Sequence, residues 1–278
     1  MTVLLATLAA VAYGLSDFVG GLVARSTTPW AVAFLGQVAA TLCTGVVATF
    51  RPGDPVASDF AWALLAGIGA GAGTGFLYRG LSLGRMGVVA PISAVGAALV
   101  PVAFGAVGGE RPSTLVWIGI VSALPGIWLV SSEPTSEDAR GSAAEGVLDG
   151  VLAGLGFGLM FAAVGQIPES SGMWPLAVAQ LISIPAAVAL AAALGAPWLP
   201  RERFAAWALI AGLLGASAAA LFLLATQHGL LTVAGVITSL YPAATVLLAA
   251  TVLRERIHGA QAIGLALCGA AVALVAAG

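Results

Sequence analysis

Two glutamates that end long apolar segments indicate that this chain is built from two copies of one unit. Glu110 is followed by Gly119 and Glu255 by Gly264, so both residue types recur at a spacing of 145. Other residues recur at a spacing of 144 or 145: Trp30 and Trp174, Ala33 and Ala177, Trp62 and Trp207, Gly67 and Gly212, and Gly84 and Gly229. A nearly constant spacing across a whole half of the chain indicates a duplicated structural unit.

The composition places both copies in a membrane. The mean hydropathy is +1.06 and only 8% of residues are charged, whereas about a quarter of the residues in soluble domains carry charge. The ten arginines and twelve acids stand mostly at the edges of apolar runs, where ionisable groups reach water. The net charge of −2 gives no indication of a nucleic-acid partner. Cys43 and Cys268 lie in apolar segments without a CxxC spacing, so neither a disulfide framework nor a metal site is expected.

The apolar segments are long enough to cross a bilayer as helices. About 20 mostly apolar residues span roughly 30 Å of hydrocarbon, and Pro, Gly and charged residues divide the chain into ten such segments. The first is expected to remain as a span, because no Lys or Arg precedes it as in a signal peptide. The predicted spans are 2–24, 30–50, 60–81, 87–108, 113–131, 147–167, 174–195, 204–226, 232–253 and 258–277.

A polar stretch from Ser131 to Glu145 separates five spans from five. Its composition is typical of solvated chain, so the predicted organisation is a first repeat at 1–131, a linker at 132–146 and a second repeat at 147–278. Because five is odd, two such units joined by a short linker must have opposite orientations across the membrane. The predicted fold class is therefore an all-α membrane protein with ten transmembrane helices in two inverted five-helix repeats. Inverted repeats are typical of secondary transporters, whose solute site lies near the midplane.

The end of the second repeat resembles the closing helix pair of the EamA family, which belongs to the drug/metabolite transporter superfamily. The resemblance depends on Pro242, on Glu255 thirteen residues later and on Gly264, and it covers both halves. It implies that the first four spans of each half form a central cavity, and that the solute is a small metabolite, since members include exporters of amino acids. The first repeat departs from this pattern, with Ala97 in the place of Pro242.

Asp17 is a carboxylate well inside the first apolar span. An ionised carboxylate there is costly unless it is paired, hydrated or protonated. At helical spacing it shares a face with Tyr13, Gly20 and Gly21, a surface that suits a cavity or a close helix contact. The position 144 residues later is Phe161, and a requirement of the scaffold alone would be expected twice. Asp17 is therefore predicted to exchange a proton or to pair with a cationic group, and the alternative is a hydrogen bond to a neighbouring helix.

Few other polar side chains lie inside spans, and these supply the remaining candidates. Pro242 cannot donate a backbone hydrogen bond, so a carbonyl near Thr238 is expected to be free beside the phenol of Tyr241. Gln37 and Gln180 fall in equivalent spans and could present amides from opposite halves, or could bond between helices. The predicted substrate-binding residues are Tyr13, Asp17, Gln37, Tyr78, Ser93, Gln180, Thr238 and Tyr241, and Asp17 is also the predicted proton-coupling residue.

Other ionisable residues have structural interpretations. Arg79 either snorkels to headgroups or reaches inward to a carboxylate. Glu110 and Glu255 each neighbour arginines, which suits interfacial ion pairs that cap helices. His228 and His258 lack the companions that a metal site requires, so no metal and no cofactor is expected.

The sequence thus favours a secondary active transporter that exports small polar or amphipathic metabolites by alternating access, with proton coupling left open. The alternatives are an uptake carrier or exchanger, and, further away, an intramembrane enzyme or a channel. No Walker A pattern is present, and an enzyme is not expected. The expected partners are a small solute, the lipid bilayer and protons, with a monomer sufficient and a dimer not excluded. The expected location is the inner (cytoplasmic) membrane. Orientation stays open, because the arginine distribution puts both termini outside and the family resemblance implies that both are cytoplasmic.

Overall fold

The computed structural model describes residues 1–82, 86–132, 143–254 and 256–278, with the side chains of 78, 81, 82, 86–88 and 143–145 left out. Every regular element in these ranges is helical, and ten stretches are long and apolar enough to cross a membrane. The predicted fold class is confirmed. The helices are α1 (Thr2–Ala24), α2 (Pro29–Phe50), α3 (Ala57–Ser82), α4 (Met86–Val107), α5 (Thr114–Ser131), α6 (Ala143–Val164), α7 (Trp174–Ala193), α8 (Ala208–Gln227), α9 (Leu231–Thr238), α10 (Tyr241–Val252) and α11 (Gly259–Ala277).

Local sequence signals explain where several of these helices begin. The hydroxyl of Thr28 accepts a hydrogen bond from the backbone N–H of Ala31, and Pro29 occupies the first turn, where its missing N–H costs nothing. Ser113 caps α5 in the same way through the N–H of Val116, at 3.2 Å. Short polar or Pro-containing loops therefore separate apolar segments that satisfy their backbone groups internally, as a bilayer requires.

The ninth predicted span is divided into α9 and α10. Pro242 has no N–H to donate to the carbonyl of Thr238, and the turn is closed instead by the N–H of Leu240, which donates to the carbonyl of Ile237 at 3.1 Å. In the first half, α4 runs from Met86 to Val107 without such a division. The distortion predicted at Pro242 is therefore present in one repeat and has no counterpart in the other.

The two halves interlock in a symmetric pattern. The third helix of the first half, α3, packs on α6 and α7, and the third helix of the second half, α8, packs on α1 and α2. The fourth helices follow the same rule, because α4 packs on α6 while α9 and α10 pack on α1, and α5 packs on α11. Each helix thus repeats the contacts of its equivalent in the other half, as inverted repeats related by a pseudo-twofold axis do.

Equivalent glycines allow the closest of these contacts. A Cβ atom at Gly67 of α3 would lie 2.5 Å from the carbonyl oxygen of Ala179 in α7. A Cβ atom at Gly212 of α8 would lie 2.8 Å from the Cβ of Ala39 in α2. Larger residues would push these helices apart, so the glycine pair seen in the sequence sets the distance between the halves.

Glu110 joins the first half to the second. Its carboxylate accepts hydrogen bonds from the N–H groups of Leu231, at 2.6 Å, and Thr232, at 2.9 Å, at the start of α9. A carboxylate at a helix N-terminus satisfies free donors and opposes the positive end of the helix dipole. The predicted capping role of Glu110 is present, and Glu255 lies outside the described residues.

Two membrane faces can be defined from the loops. The Met1 face carries loops 51–56, 165–173 and 228–230, and the Arg25 face carries loops 25–28 and 194–202. Between the faces the outer surface of the bundle is apolar, with exposed side chains such as Leu42, Val121 and Ile263. An exposed apolar surface of this extent is expected to contact lipid.

Candidate functional site

A cavity of about 160 Å³ lies between the two halves. Helices α1, α2 and α3 line it together with α6, α7, α8 and α10. In α1, α2, α3 and α8 the lining residues stand in the half of the helix nearer the Arg25 face, while α6 and α7 supply the floor. The polar side chains in the lining are Tyr13, Ser16, Asp17, Gln37, Thr74, Gln180 and Tyr241.

Asp17 lies in this cavity, as part of the face predicted from its spacing. Its side chain is exposed although it stands in the middle of a membrane span, because it faces the cavity and not the lipid. Ser16, the residue before it, donates a hydrogen bond to the carbonyl oxygen of Ala211 in α8 at 2.8 Å. This bond fixes the α1 segment that carries Asp17 against the second half.

Aromatic rings line the same cavity as the Asp17 carboxylate. The ring of Tyr13, one helical turn from Asp17, lies 6.3 Å from the ring of Tyr241 and 5.9 Å from that of Phe161. Phe161 in turn packs on Phe222 with ring centres 4.7 Å apart. A carboxylate among aromatic faces is a favourable environment for a cation, because the ring quadrupole and the charge both attract it.

Gln37 and Gln180 both face the cavity, from α2 and α7. These helices hold equivalent places in the two halves, so two amides from opposite repeats meet at one volume. Each amide offers donors and an acceptor to a polar solute.

The structure places two other predicted residues, Ser93 and Thr238, outside this cavity. Ser93 is buried within α4, and its hydroxyl donates to the carbonyl oxygen of Ala90 at 3.0 Å. Thr238 is buried at the end of α9 and lies 3.5 Å from the carbonyl oxygen of Ala6. Tyr78 stands in α3, but its side chain is outside the described part, and its predicted contact with a solute stays a prediction.

Several lining residues were not predicted. Thr74 lies in the glycine-rich segment of α3 and was not among the predicted residues. Phe157 and Phe161 stand 144 residues after Tyr13 and Asp17, and they line the same cavity. The repeat spacing is the feature of the sequence that could have identified both phenylalanines as lining residues.

Arg79 reaches inward to a carboxylate. Its guanidinium lies 3.4 Å from the carboxylate of Asp149, which is 1% exposed at the Arg25-face end of α6. Of the two predicted alternatives for Arg79, the ion pair is the one present. Neither residue lines the cavity, so the pair joins α3 to α6 outside it.

The histidines and acids do not form a metal site in the described ranges. No group of three His, Cys, Asp or Glu residues there could hold a metal ion. The Nδ1 atom of His228 lies 2.8 Å from the carbonyl oxygen of Leu224, within its own helix, and outside the cavity.

An all-helical bundle of two inverted five-helix repeats, with a partly polar cavity between them, has the architecture of a secondary transporter. The sequence matches the EamA-like transporter family over residues 1–132 and 144–277, and the chain belongs to that family. It is a multi-pass membrane protein of the drug/metabolite transporter type.

A solved structure described only as "Crystal structure of protein" has the same fold. It is 17% identical, and the match covers 98% of this chain and 95% of that chain with a TM-score of 0.73. A comparison with curated proteins found no match.

Proposed function

We propose that this protein is a secondary active transporter that carries a small organic solute through the central cavity by alternating access, without a chemical reaction. The observation that carries the proposal is a cavity lined by both inverted halves, with Asp17 exposed inside it. Family membership supports transport, and the resemblance to exporters favours outward movement across the inner membrane. One copy of the chain supplies every lining residue described above, so the proposed transporting unit is a monomer.

The lining supports a cationic or zwitterionic solute with an apolar body. Asp17 is the one charged side chain among the described lining residues, and no arginine accompanies it. An ammonium group would be attracted by the Asp17 carboxylate and by the faces of Tyr13 and Tyr241. The carboxylate of an amino acid would be left to hydrogen-bond the amides of Gln37 and Gln180. An anion without a positive group would face Asp17 unpaired and be repelled.

Asp17 can also couple transport to protons. A carboxylate that faces an accessible cavity can bind either a proton or a cationic group, and the two compete for one site. Competition of this kind couples the two ligands, because binding of a proton to Asp17 favours release of the solute. Proton coupling through Asp17 is therefore part of the proposal.

Counterflow in liposomes tests the function. Phenylalanine, phenyltrimethylammonium and phenylacetate share an aromatic body and differ in charge, so they separate the charge preference from size. We expect saturable exchange of the zwitterion or the cation and none of the anion. Flux that does not saturate, or no exchange of either the zwitterion or the cation, would contradict the proposal. Glu169→Gln, which changes an exposed carboxylate on the Met1 face, is the control and should exchange normally.

A further inference from the structure

Loops from the two halves are joined at both membrane faces by a hydroxyl and a carboxylate. At the Met1 face, the hydroxyl of Ser171 donates to Oδ2 of Asp59 at 2.5 Å. At the Arg25 face, the hydroxyl of Thr27 donates to Oε2 of Glu202 at 2.7 Å. We name these contacts the Met1-face latch and the Arg25-face latch.

The hydroxyl residues of the two latches are equivalent under the internal repeat, whereas the carboxylates are not, since Asp59 and Glu202 are 143 residues apart and the repeat spacing around them is 145. Thr27 and Ser171 are 144 residues apart, the same spacing as Trp30 and Trp174. A neighbouring contact repeats as well. At the Arg25 face, the hydroxyl of Thr28 donates to the carbonyl oxygen of Pro197 at 2.9 Å.

The equivalent pair at the Met1 face is Gly172 and Pro52. Gly172 stands 144 residues after Thr28, and Pro52 stands 145 residues before Pro197. A Cβ atom at Gly172 would lie 2.9 Å from the carbonyl carbon of Pro52, so these backbones are in close contact. The positive φ of 61° at Gly172 is a second reason for glycine at this position. The same loop pairing is thus made twice, once at each face.

The latches differ in strength in the described state. Asp59 and Ser171 are buried, and backbone bonds support them: the N–H of Asp54 donates to the carbonyl of Ser170 at 2.8 Å, and that of Met173 to the carbonyl of Arg51 at 3.3 Å. The Asp59 carboxylate also accepts from the N–H of Val56 at 2.9 Å. Buried hydrogen bonds of a charged group are stronger than exposed ones and more costly to break.

The Arg25-face latch is held by side chains at an exposed position. Glu202 is exposed, and the bond from Thr27 lowers the pKa of the Glu202 carboxyl below its ordinary value, so the accepting group stays ionised at neutral pH. An exposed bond of this kind contributes little on its own, because water competes for both partners. This latch can therefore break at small cost.

The position of the cavity agrees with that difference. Towards the Arg25 face the lining of the cavity reaches Leu77 and Val32, whereas towards the Met1 face the cavity is followed by buried Ala66, Val164 and Leu176. Both latches are formed in the described state, and the cavity lies nearer the face with the weaker latch.

We propose that Asp59 with Ser171 and Glu202 with Thr27 are positioning residues that each hold one membrane face closed, so that breaking one latch shifts the protein towards opening that face. This inference rests on the proposed function. None of the four residues lines the cavity, and each acts through the loop that it holds.

Cysteine accessibility tests the proposal without any solute. In a Cys43→Ala/Cys268→Ala background, Ala66→Cys reports opening at the Met1 face and Thr74→Cys reports the cavity wall nearer the Arg25 face. Labelling rates with a membrane-impermeant maleimide are measured in proteoliposomes from each side. Ser171→Ala should raise the rate at Ala66→Cys by about tenfold or more, as expected for one lost hydrogen bond to a charged group, and lower it at Thr74→Cys. Thr27→Ala should shift both rates in the opposite sense.

Matched variants separate a latch from a general loosening of the fold. Thr49→Ala removes a hydroxyl at the Met1-face end of α2 that bonds only to its own helix, through the carbonyl of Val46, and should leave both rates unchanged. Ser171→Thr keeps the hydroxyl, as its equivalent Thr27 does, and should behave as the parent protein. If Ser171→Ala fails to fold, the exposed Thr27→Ala and the conservative Ser171→Thr still decide the outcome.

Labelling rates that change in the same direction at both reporter positions, or that do not change in either latch variant, would overturn the proposal that these contacts act as latches. Normal counterflow beside unchanged labelling would refute the latches and leave the transport proposal standing. Opposite shifts in labelling without any counterflow in the parent protein would support the latches and contradict the transport proposal.

Discussion

Asp17 of α1 and Phe161 of α6 occupy equivalent positions in the two repeats and face the same cavity. A carboxylate therefore stands where the other half provides an aromatic ring. The scaffold is symmetric in its contacts, but among the described lining residues the charge that a solute meets comes from one repeat. Because one charge is present, one cationic group or one proton can be bound at a time.

The first prediction concerns Asp17→Asn. The amide cannot bind or release a proton, so counterflow of the transported probe should lose its dependence on pH while the protein remains folded. Initial rates over a pH series, with the circular dichroism spectrum as a check on folding, measure this. A pH profile that matches the parent protein would refute the coupling role, and Glu169→Gln should keep the parent profile.

The second prediction concerns the two amides. Gln37→Ala and Gln180→Ala should each weaken binding of a zwitterion, with the KM for phenylalanine rising about fivefold from the loss of one hydrogen bond. Phenyltrimethylammonium has no carboxylate, and its KM should stay close to that of the parent. Equal losses for both probes would mean that the amides hold helices together and do not contact the solute.

The third prediction concerns the cap between the halves. Glu110→Ala removes both acceptors of the Leu231 and Thr232 N–H groups, and it should lower stability by about 1 to 2 kcal/mol, as for other lost helix caps. Thermal unfolding in detergent measures the change, with Glu169→Ala as an exposed control. Glu110→Gln keeps one acceptor and should lose less stability than Glu110→Ala. An equal loss of stability in the two variants would contradict a capping role.

The fourth prediction concerns the division of the ninth span. Pro242→Ala restores an N–H that can donate to the carbonyl of Thr238, so α9 and α10 should become more continuous. Amide hydrogen exchange around residues 238–243 should slow, and counterflow should slow with it if the division bends during the cycle. Pro101→Ala, in the undivided α4, is the matched control, and faster exchange at the division would be the opposite of the expected result.

The fifth prediction concerns Glu202. Its pKa is lowered chiefly by the hydrogen bond from Thr27, so Thr27→Ala should raise that pKa towards the ordinary value. A carboxyl with a lowered pKa contributes its interaction above that pKa and loses it as the pH falls through it, so the Arg25-face latch should fail only in acid. Carbon-13 NMR of labelled glutamate can follow the titration, and an unchanged pKa would show that Thr27 does not hold the carboxylate.

The sequence predicts the architecture well because span length, charge scarcity and repeat spacing are local or periodic properties. The inversion follows from an odd number of spans, and Asp17, Tyr13, Gln37, Gln180 and Tyr241 do lie at one cavity. Their polarity within apolar spans was a sufficient signal, since a bilayer leaves few other places for them.

Polarity alone does not identify which side chains face a cavity. Ser93 satisfies its hydroxyl with the carbonyl of Ala90 in its own helix, so it can be buried at little cost. Phe157 and Phe161 are apolar and give no signal of their own. The latches depend on which loops meet in the folded protein. Nothing in the sequence around Ser171 indicates that its hydrogen-bond partner is Asp59, 112 residues away in the chain.

The division between α9 and α10, which α4 lacks, bears on how the carrier would work in the two directions. With perfectly matched halves, the inward-facing and outward-facing shapes would be related by a twofold rotation and equally populated. A hinge in one half removes that equality, so the unloaded carrier should spend unequal time facing the two compartments. Apparent affinity falls with the population of the competent shape, and the same solute should therefore show different half-saturation concentrations from the two sides.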